Sequence, residues 1–295
     1  MTRLSIRHET IYRYDNAVAF GEHRMMLRPR DSHAMRLIEA SLELSPPGAT
    51  RWLYDALGNC VCLFTPQGQA TELRIVSHLL LDQFPAPLAE PVIDDPHNTF
   101  PLVYDAGDRA ALAPFINPAT TEVDTVLLSW LRDHAAEPGE TLLAYIQRLN
   151  TTIFQQFQYA ARYSEGVQSP EETLQNGSGT CRDFAWLMVE ALRRLGFAAR
   201  FVTGYLYSPQ ADSTVRGAGA THAWCDVFLP SLGWLEFDPT NGLVESPDLI
   251  PVATTLTPTE AAPVAGNLIG MPGNSTLEVG VYVDLVDETM TAVAA

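Results

Sequence analysis

The chain has 295 residues, 46% of them hydrophobic, and a formal net charge of −17. That length allows one or two domains with a real core, and that charge argues against nucleic acid as a partner. No window reaches the roughly 18 apolar residues of a membrane helix. Met1-Thr-Arg-Leu-Ser-Ile-Arg-His-Glu9 has no apolar leader core. No membrane partner is therefore expected, and cytoplasm is the expected compartment. The basic side chains are 18 Arg and no Lys, so the chain offers no lysine amine of its own to a crosslink.

Residues 1–84 have the alternation and turn punctuation of an all-β N-terminal domain. Ala40–Leu44 runs up to Pro46-Pro47-Gly48, and Asp55-Ala-Leu-Gly-Asn59 is a hairpin cue before Cys60-Val-Cys-Leu-Phe64. Cys60 and Cys62 share one strand face and lack zinc-ligand spacing. Leu73–Leu81 is a further strand. Arg24, Arg28, Arg30 and Arg36 stand among Glu22, Asp31 and Glu39; they form either a site for an acidic peptide or, more ordinarily, a solvated strand face.

Residues 85–101 are a Pro-rich linker. A core domain is expected over 102–245. Helices are predicted near 120–136 and 140–157, the second with Leu142, Ile146, Leu149, Ile153 and Phe157 as a core stripe. The segment 246–295 is predicted to be a Pro-rich tail with a final strand over 277–286, on a sheet edge or back against the N-terminal domain.

The chemistry-bearing stretch is Gly177-Ser-Gly-Thr-Cys181-Arg-Asp-Phe-Ala185. After Cys181, the apolar residues Phe184, Leu187, Met188, Ala191, Leu192 and Leu195 follow helical spacing, and Gly196 stops the run. Cys181 therefore falls at a helix start, where free N–H groups and the macrodipole favour a thiolate. A strand over 197–207 is followed by a Ser-, Gly- and Ala-rich loop over 208–221, predicted to border a substrate cleft or simply to connect. His222, Trp224, Asp226 and Phe228 share one face of the next strand; Ala223, Cys225, Val227 and Leu229 share the other. Trp234–Phe237 pairs back as a hairpin that ends at Asp238-Pro239. Cys181 then serves as nucleophile, His222 takes the thiol proton and later protonates the leaving amine, and Asp238 orients His222. Each has a plainer reading: a small buried hydrophobe, a strand-end histidine, a turn residue before proline. Their chain order and their elements together make the signal specific.

The chain resembles bacterial transglutaminase-like proteins. The residues that carry this are the Cys181 run, His222-Ala-Trp224, and Gly233-Trp-Leu-Glu-Phe-Asp238-Pro-Thr-Asn241. His8-Glu-Thr-Ile-Tyr-Arg-Tyr14, Leu27-Arg-Pro-Arg30 and Asp55–Asn59 resemble that family's β-rich N-terminal domain. Where the family often has Glu, two residues after Trp224, this chain has Asp226. The resemblance implies an α+β fold: a papain-like core, with a Cys-bearing helix packed on an antiparallel sheet. It also implies cofactor-free thiol acyl chemistry on peptide or protein amides. The expected activity is that of a peptidase or amidase. A transamidase, or a catalytically silent scaffold, is the alternative. Cys181 N–H is the first oxyanion donor; Tyr159 is a candidate second donor, or a core or surface tyrosine.

Overall fold

The computed structural model describes residues 1–84, 95–120, 122, 125–162, 166–208, 215–216 and 219–286. In chain order the N-terminal strands are β1 (Thr2–Phe20), β2 (His23–Met25), β3 (Met35–Ser45), β4 (Gly48–Tyr54), β5 (Cys60–Pro66) and β6 (Gln69–Gln83). Then come α1 (Ala106–Ile116), α2 (Thr125–Asp133), α3 (Leu142–Gln156), β7 (Gln158–Tyr159), α4 (Pro170–Asn176), β8 (Ser178–Gly179) and α5 (Cys181–Arg194). The chain continues through β9 (Ala198–Leu206), β10 (His222–Leu229), β11 (Gly233–Asp238), β12 (Leu243–Val244) and β13 (Leu249–Thr255). It ends in β14 (Val264–Ala265), β15 (Leu268–Ile269) and β16 (Ser275–Leu285).

The N-terminal region is two packed antiparallel sheets. One has the order β15-β1-β6-β3, with β16 also on β1; the other is β14-β2-β5-β4. Period-two alternation explains the arrangement. Leu4, Ile6, His8 and Thr10 of β1 are buried on one face. Arg3, Glu9 and Arg13 on the other face pair with Asp82, Arg74 and Glu72 across β6. The inner face of this long sheet covers two things. Val18, Leu73 and Ile75 pack with Met25, Cys62 and Phe64 of the second sheet. Leu4, Ile6, Leu79 and Leu81 pack with Tyr205, Ile250 and Val252 of the core sheet.

A buried polar link crosses that second contact. His8 Nδ1 lies 3.1 Å from the Tyr205 hydroxyl, and its Nε2 lies 3.2 Å from Thr10 Oγ1. Burial pushes His8 down to about 4. An unfolded histidine titrates near 6.5, so between those values the unfolded chain binds the extra proton. The neutral imidazole thus costs no stability above the unfolded value, and stability falls as pH drops from about 6.5 to 4. The loss attributable to this group is roughly 3 kcal/mol. Urea unfolding of wild type and His8→Gln at pH 7.5 and 4.5 checks this: the wild type should lose more stability than the variant between the two.

The core is one antiparallel sheet, β12-β11-β10-β9-β13, covered by α5. Phe184, Leu187, Met188, Ala191 and Leu192 of α5 are buried against Ala223, Cys225 and Val227 of β10. Leu195 departs from the expected stripe and is 39% exposed. It caps the helix, and Gly196 at φ 87 turns the chain away, with Phe197 N–H on Leu192 O at 3.0 Å. The α3 stripe Leu142, Ile146, Leu149, Ile153 and Phe157 is core, as predicted. The transglutaminase-like architecture implied by the motifs, a Cys-bearing helix on an antiparallel sheet behind an all-β region, is thus the observed one.

The described residues 246–286 hold the predicted final strand and three further strands. β13 pairs with β9 as an edge of the core sheet, while β14, β15 and β16 pair with β2 and β1 of the N-terminal sheets. The final strand is thus laid back on the N-terminal domain. Residues 85–94 of the expected linker lie outside the described residues; Pro96–Asn98 forms a single 3-10 turn.

Candidate active site

Two short helices meet end to start at the cysteine. Gly177, at φ 60, closes α4, and β8 then pairs in parallel with β7 through Gln158↔Ser178 and Tyr159↔Gly179. Gly179 is a close approach: a Cβ there would stand 2.8 Å from Asp183 Cβ and 3.2 Å from a Phe184 ring carbon. Asp183 is fully buried and fastens the helix start. Its Oδ2 accepts from Thr180 N–H at 2.8 Å and from the Thr180 hydroxyl at 2.9 Å. Its Oδ1 accepts from Gln168 N–H and Arg162 Nη2, each at 2.7 Å. Cys181, 7% exposed, is the first residue of α5 and is held with its backbone N–H at the open helix end.

His222 opens β10 and Asp238 closes β11, and the hairpin brings them together. His222 Nε2 and Asp238 Oδ2 are 2.8 Å apart, with both side chains fully buried. The other ring nitrogen, Nδ1, is buried and makes no hydrogen bond among the described residues. Cys181, at the start of α5, is close enough to influence the ring. Burial opposes a charge on His222, but the charge and hydrogen bond of Asp238, followed by Cys181, outweigh it and push His222 up to about 10. The sequence reading has His222 take the thiol proton beside Cys181, and this upward shift is in the direction that favours the ring holding it. Its favourable contribution to folding is complete below the unfolded value near 6.5 and is lost as pH rises through about 10.

Asp238 does two jobs at once. Its Oδ1 accepts from Thr240 N–H at 2.9 Å, an Asx turn at the Pro239 corner. Its Oδ2 accepts from His222 and from Asn241 Nδ2 at 2.9 Å. Burial works against ionisation, but His222, Asn241 and Thr240 together hold the carboxyl below its ordinary range. Asn241 was quoted in the sequence motif without a role. It also takes Arg216 N–H at 2.9 Å and donates to Arg216 O at 3.2 Å, holding that residue of the 208–221 loop beside the Asp238 corner. Only residues 208, 215–216 and 219–221 of that loop are among those described.

Trp224 lies on the same strand face as His222, its ring 6.1 Å away and inclined by 30°. Asp226 accepts from Arg200 Nε at 2.9 Å. Cys225 lies on the opposite, helix-facing side, fully buried, and burial raises its thiol well above the usual range. Cys60 and Cys62 are buried on β5, and burial pushes Cys62 up to about 11. Tyr159 is half-buried, one strand away from the cysteine turn. Burial and then the charge of Cys181 raise its hydroxyl. Among the described residues no group of His, Cys, Asp and Glu could hold a metal ion.

Residues 131–239 match the transglutaminase-like superfamily, and residues 4–82 match the bacterial transglutaminase-like N-terminal region. The chain carries the core of the transglutaminase-like superfamily. It is 28% identical over 295 residues to an uncharacterized protein of Mycobacterium tuberculosis, covering 95% of this chain and 92% of that one. A 115-residue stretch is 31% identical to a protein-glutamine gamma-glutamyltransferase of Pseudomonas aeruginosa, covering 37% of this chain and 17% of that one. The fold is similar to the crystal structure of a candidate cysteine protease from Cytophaga hutchinsonii. The TM-score is 0.71 at 18% identity, covering 97% of this chain and 91% of that one. The transglutaminase-like core and the bacterial N-terminal region are thus both present, and Cys181, His222 and Asp238 all lie within the matched core.

Proposed function

We propose that the protein is a cysteine peptidase or amidase acting on peptide or protein amides. Its main support is the buried 2.8 Å contact between His222 and Asp238, with His222 pushed up to about 10 beside Cys181. The Cys181 thiolate attacks the amide carbon, and the oxyanion is met by Cys181 N–H and the Tyr159 hydroxyl. The C–N bond breaks as His222 passes its proton to the leaving amine. The thioester carries no sulfur charge, so one of the influences that raise His222 is gone. The neutral ring then takes a proton from water, whose oxygen releases the acid and restores the thiolate. An inert scaffold would have no need of this set of side chains.

A transamidase is the second reading, favoured by the partial likeness to a protein-glutamine gamma-glutamyltransferase. It shares the thioester and differs in the acceptor. Both act in the cytoplasm in this proposal, where free thiols stay reduced. Mass spectrometry of acyl adducts trapped on Cys181 from cell extract, with and without an added amine, tests both readings. An acyl adduct that turns over to the acid supports hydrolysis, one that turns over to the amide supports transfer, and no acyl adduct under either condition would overturn both.

Tyr159→Phe removes the proposed second oxyanion donor alone. Turnover should fall about 10²-fold, while alkylation of Cys181, which forms no oxyanion, should be unchanged. A full-rate variant would leave Tyr159 as packing.

A further inference from the structure

The arginine-rich stretch of the N-terminal domain is not used by the chemistry at Cys181. Its members have separate fates. Arg24 is taken up by Asp55 and by the Glu260 carbonyl. Arg30 lies against Gly58. Arg28 is exposed, and its guanidinium stands 5.9 Å from the centre of the Trp52 ring. It makes no ion pair among the described residues, in a chain where acidic residues outnumber basic ones by 35 to 18.

Arg28 borders a cavity of about 540 Å³ at the side of the N-terminal sandwich. One wall is β3, where Ala40, Leu42 and Leu44 point inward but remain only half-buried. The other wall is β4, through Thr50 and Trp52. Both strands are the last in their sheets: among the described residues β3 pairs only with β6, and β4 only with β5. The Ser45–Gly48 connection carries the chain from one sheet to the other and closes one end. No residue of β4 is buried, and Trp52 is 45% exposed. A free strand edge beside an uncovered apolar lining is normally protected, because it is a template for another strand. Here nothing in the described chain covers it.

We infer that this groove binds an extended acidic peptide segment, which adds to the free edge of β4. The three inward β3 positions span roughly 13 Å, so about four or five extended residues fill the groove. Backbone groups of the peptide pair with the β4 edge. An apolar side chain enters between Leu42, Leu44 and Trp52, and a carboxylate meets Arg28 in a charge-assisted pair. The open, elongated form fits a strand better than an enclosed small molecule, and the unpaired guanidinium selects for negative charge. The site is separate from Cys181 and independent of the chemistry there.

An array of octapeptides, each carrying one Leu and one Asp or Lys in every combination of positions, provides the probe. It is incubated with the full-length wild type, Arg28→Glu and Trp52→Ser, and affinities of the bound peptides are measured by fluorescence anisotropy. The wild type should prefer Asp peptides over their Lys counterparts by about tenfold, Arg28→Glu should reverse that preference, and Trp52→Ser should weaken every peptide about tenfold. Both side chains are exposed, so melting temperature and Cys181 alkylation should not change in either variant. The inference is overturned if no peptide binds, or if the Asp preference survives Arg28→Glu, or if Trp52→Ser binds as well as wild type.

Discussion

Asp238→Asn should lower the rate of acyl transfer by about 10⁴ while the protein stays folded. The new amide can still accept Thr240 N–H through its oxygen and so keep the turn. Its nitrogen, however, would face His222 Nε2 and Asn241 Nδ2, both donors in the native arrangement. The ring is then driven to the tautomer protonated on Nδ1, on the side of Cys181, with no carboxylate to balance a charge. Burial, which already opposes that charge, is left unopposed by Asp238. The mispaired amide should cost about 1–3 kcal/mol, visible as a modest fall in melting temperature. Single-turnover kinetics with any substrate that acylates Cys181 measures the effect. A fully active variant would reduce Asp238 to its turn.

His222→Ala should have an effect of similar size on turnover, together with one that needs no substrate. Without the imidazolium, the cysteine loses the cation that pairs with its thiolate and the acid that protonates the leaving group. An ordinary thiol is less than about 1% ionised at pH 6, so iodoacetamide labelling of Cys181 at that pH should slow by about 10²-fold. Raising the pH should restore most of the labelling but none of the turnover. Labelling as fast as wild type at pH 6 would show that His222 does not sustain the reactive thiol.

The parts of the molecule governed by strong periodicity were legible in the sequence. The α5 stripe, the α3 stripe and the β10–β11 hairpin follow from 3.6 and 2.0 spacing, and they locate Cys181, His222 and Asp238 at element ends. Other elements were hidden for physical reasons. Helix α1 contains Pro114 and buries only Leu112, so it has no apolar stripe to detect. Helix α4 has just seven residues, although Ser169-Pro-Glu-Glu172 is a capping-box signature that would have marked its start. Strand β13 contains Pro251, which reads as tail composition. It is tolerated because β13 is an edge strand with an irregular register between Pro251 and Ala253. The set of groups around the His222 ring was equally out of reach, because it depends on which residues the fold buries beside it. Asn241 was closer to hand, since an Asp-Pro-Thr-Asn corner already invites side-chain hydrogen bonds.

The central claim is that Cys181 is the reactive thiol among four cysteines that are all buried and free. Burial raises Cys60, Cys62 and Cys225, and among the described residues no histidine contributes to the shift of any of the three. The direct measurement is residue-resolved iodoacetamide labelling of the native wild-type protein at pH 6, read by peptide mass spectrometry over time. Cys181 should label at least about 10²-fold faster than each of the other three. Labelling of Cys181 no faster than that of Cys60, Cys62 or Cys225 would contradict its assignment as the nucleophile.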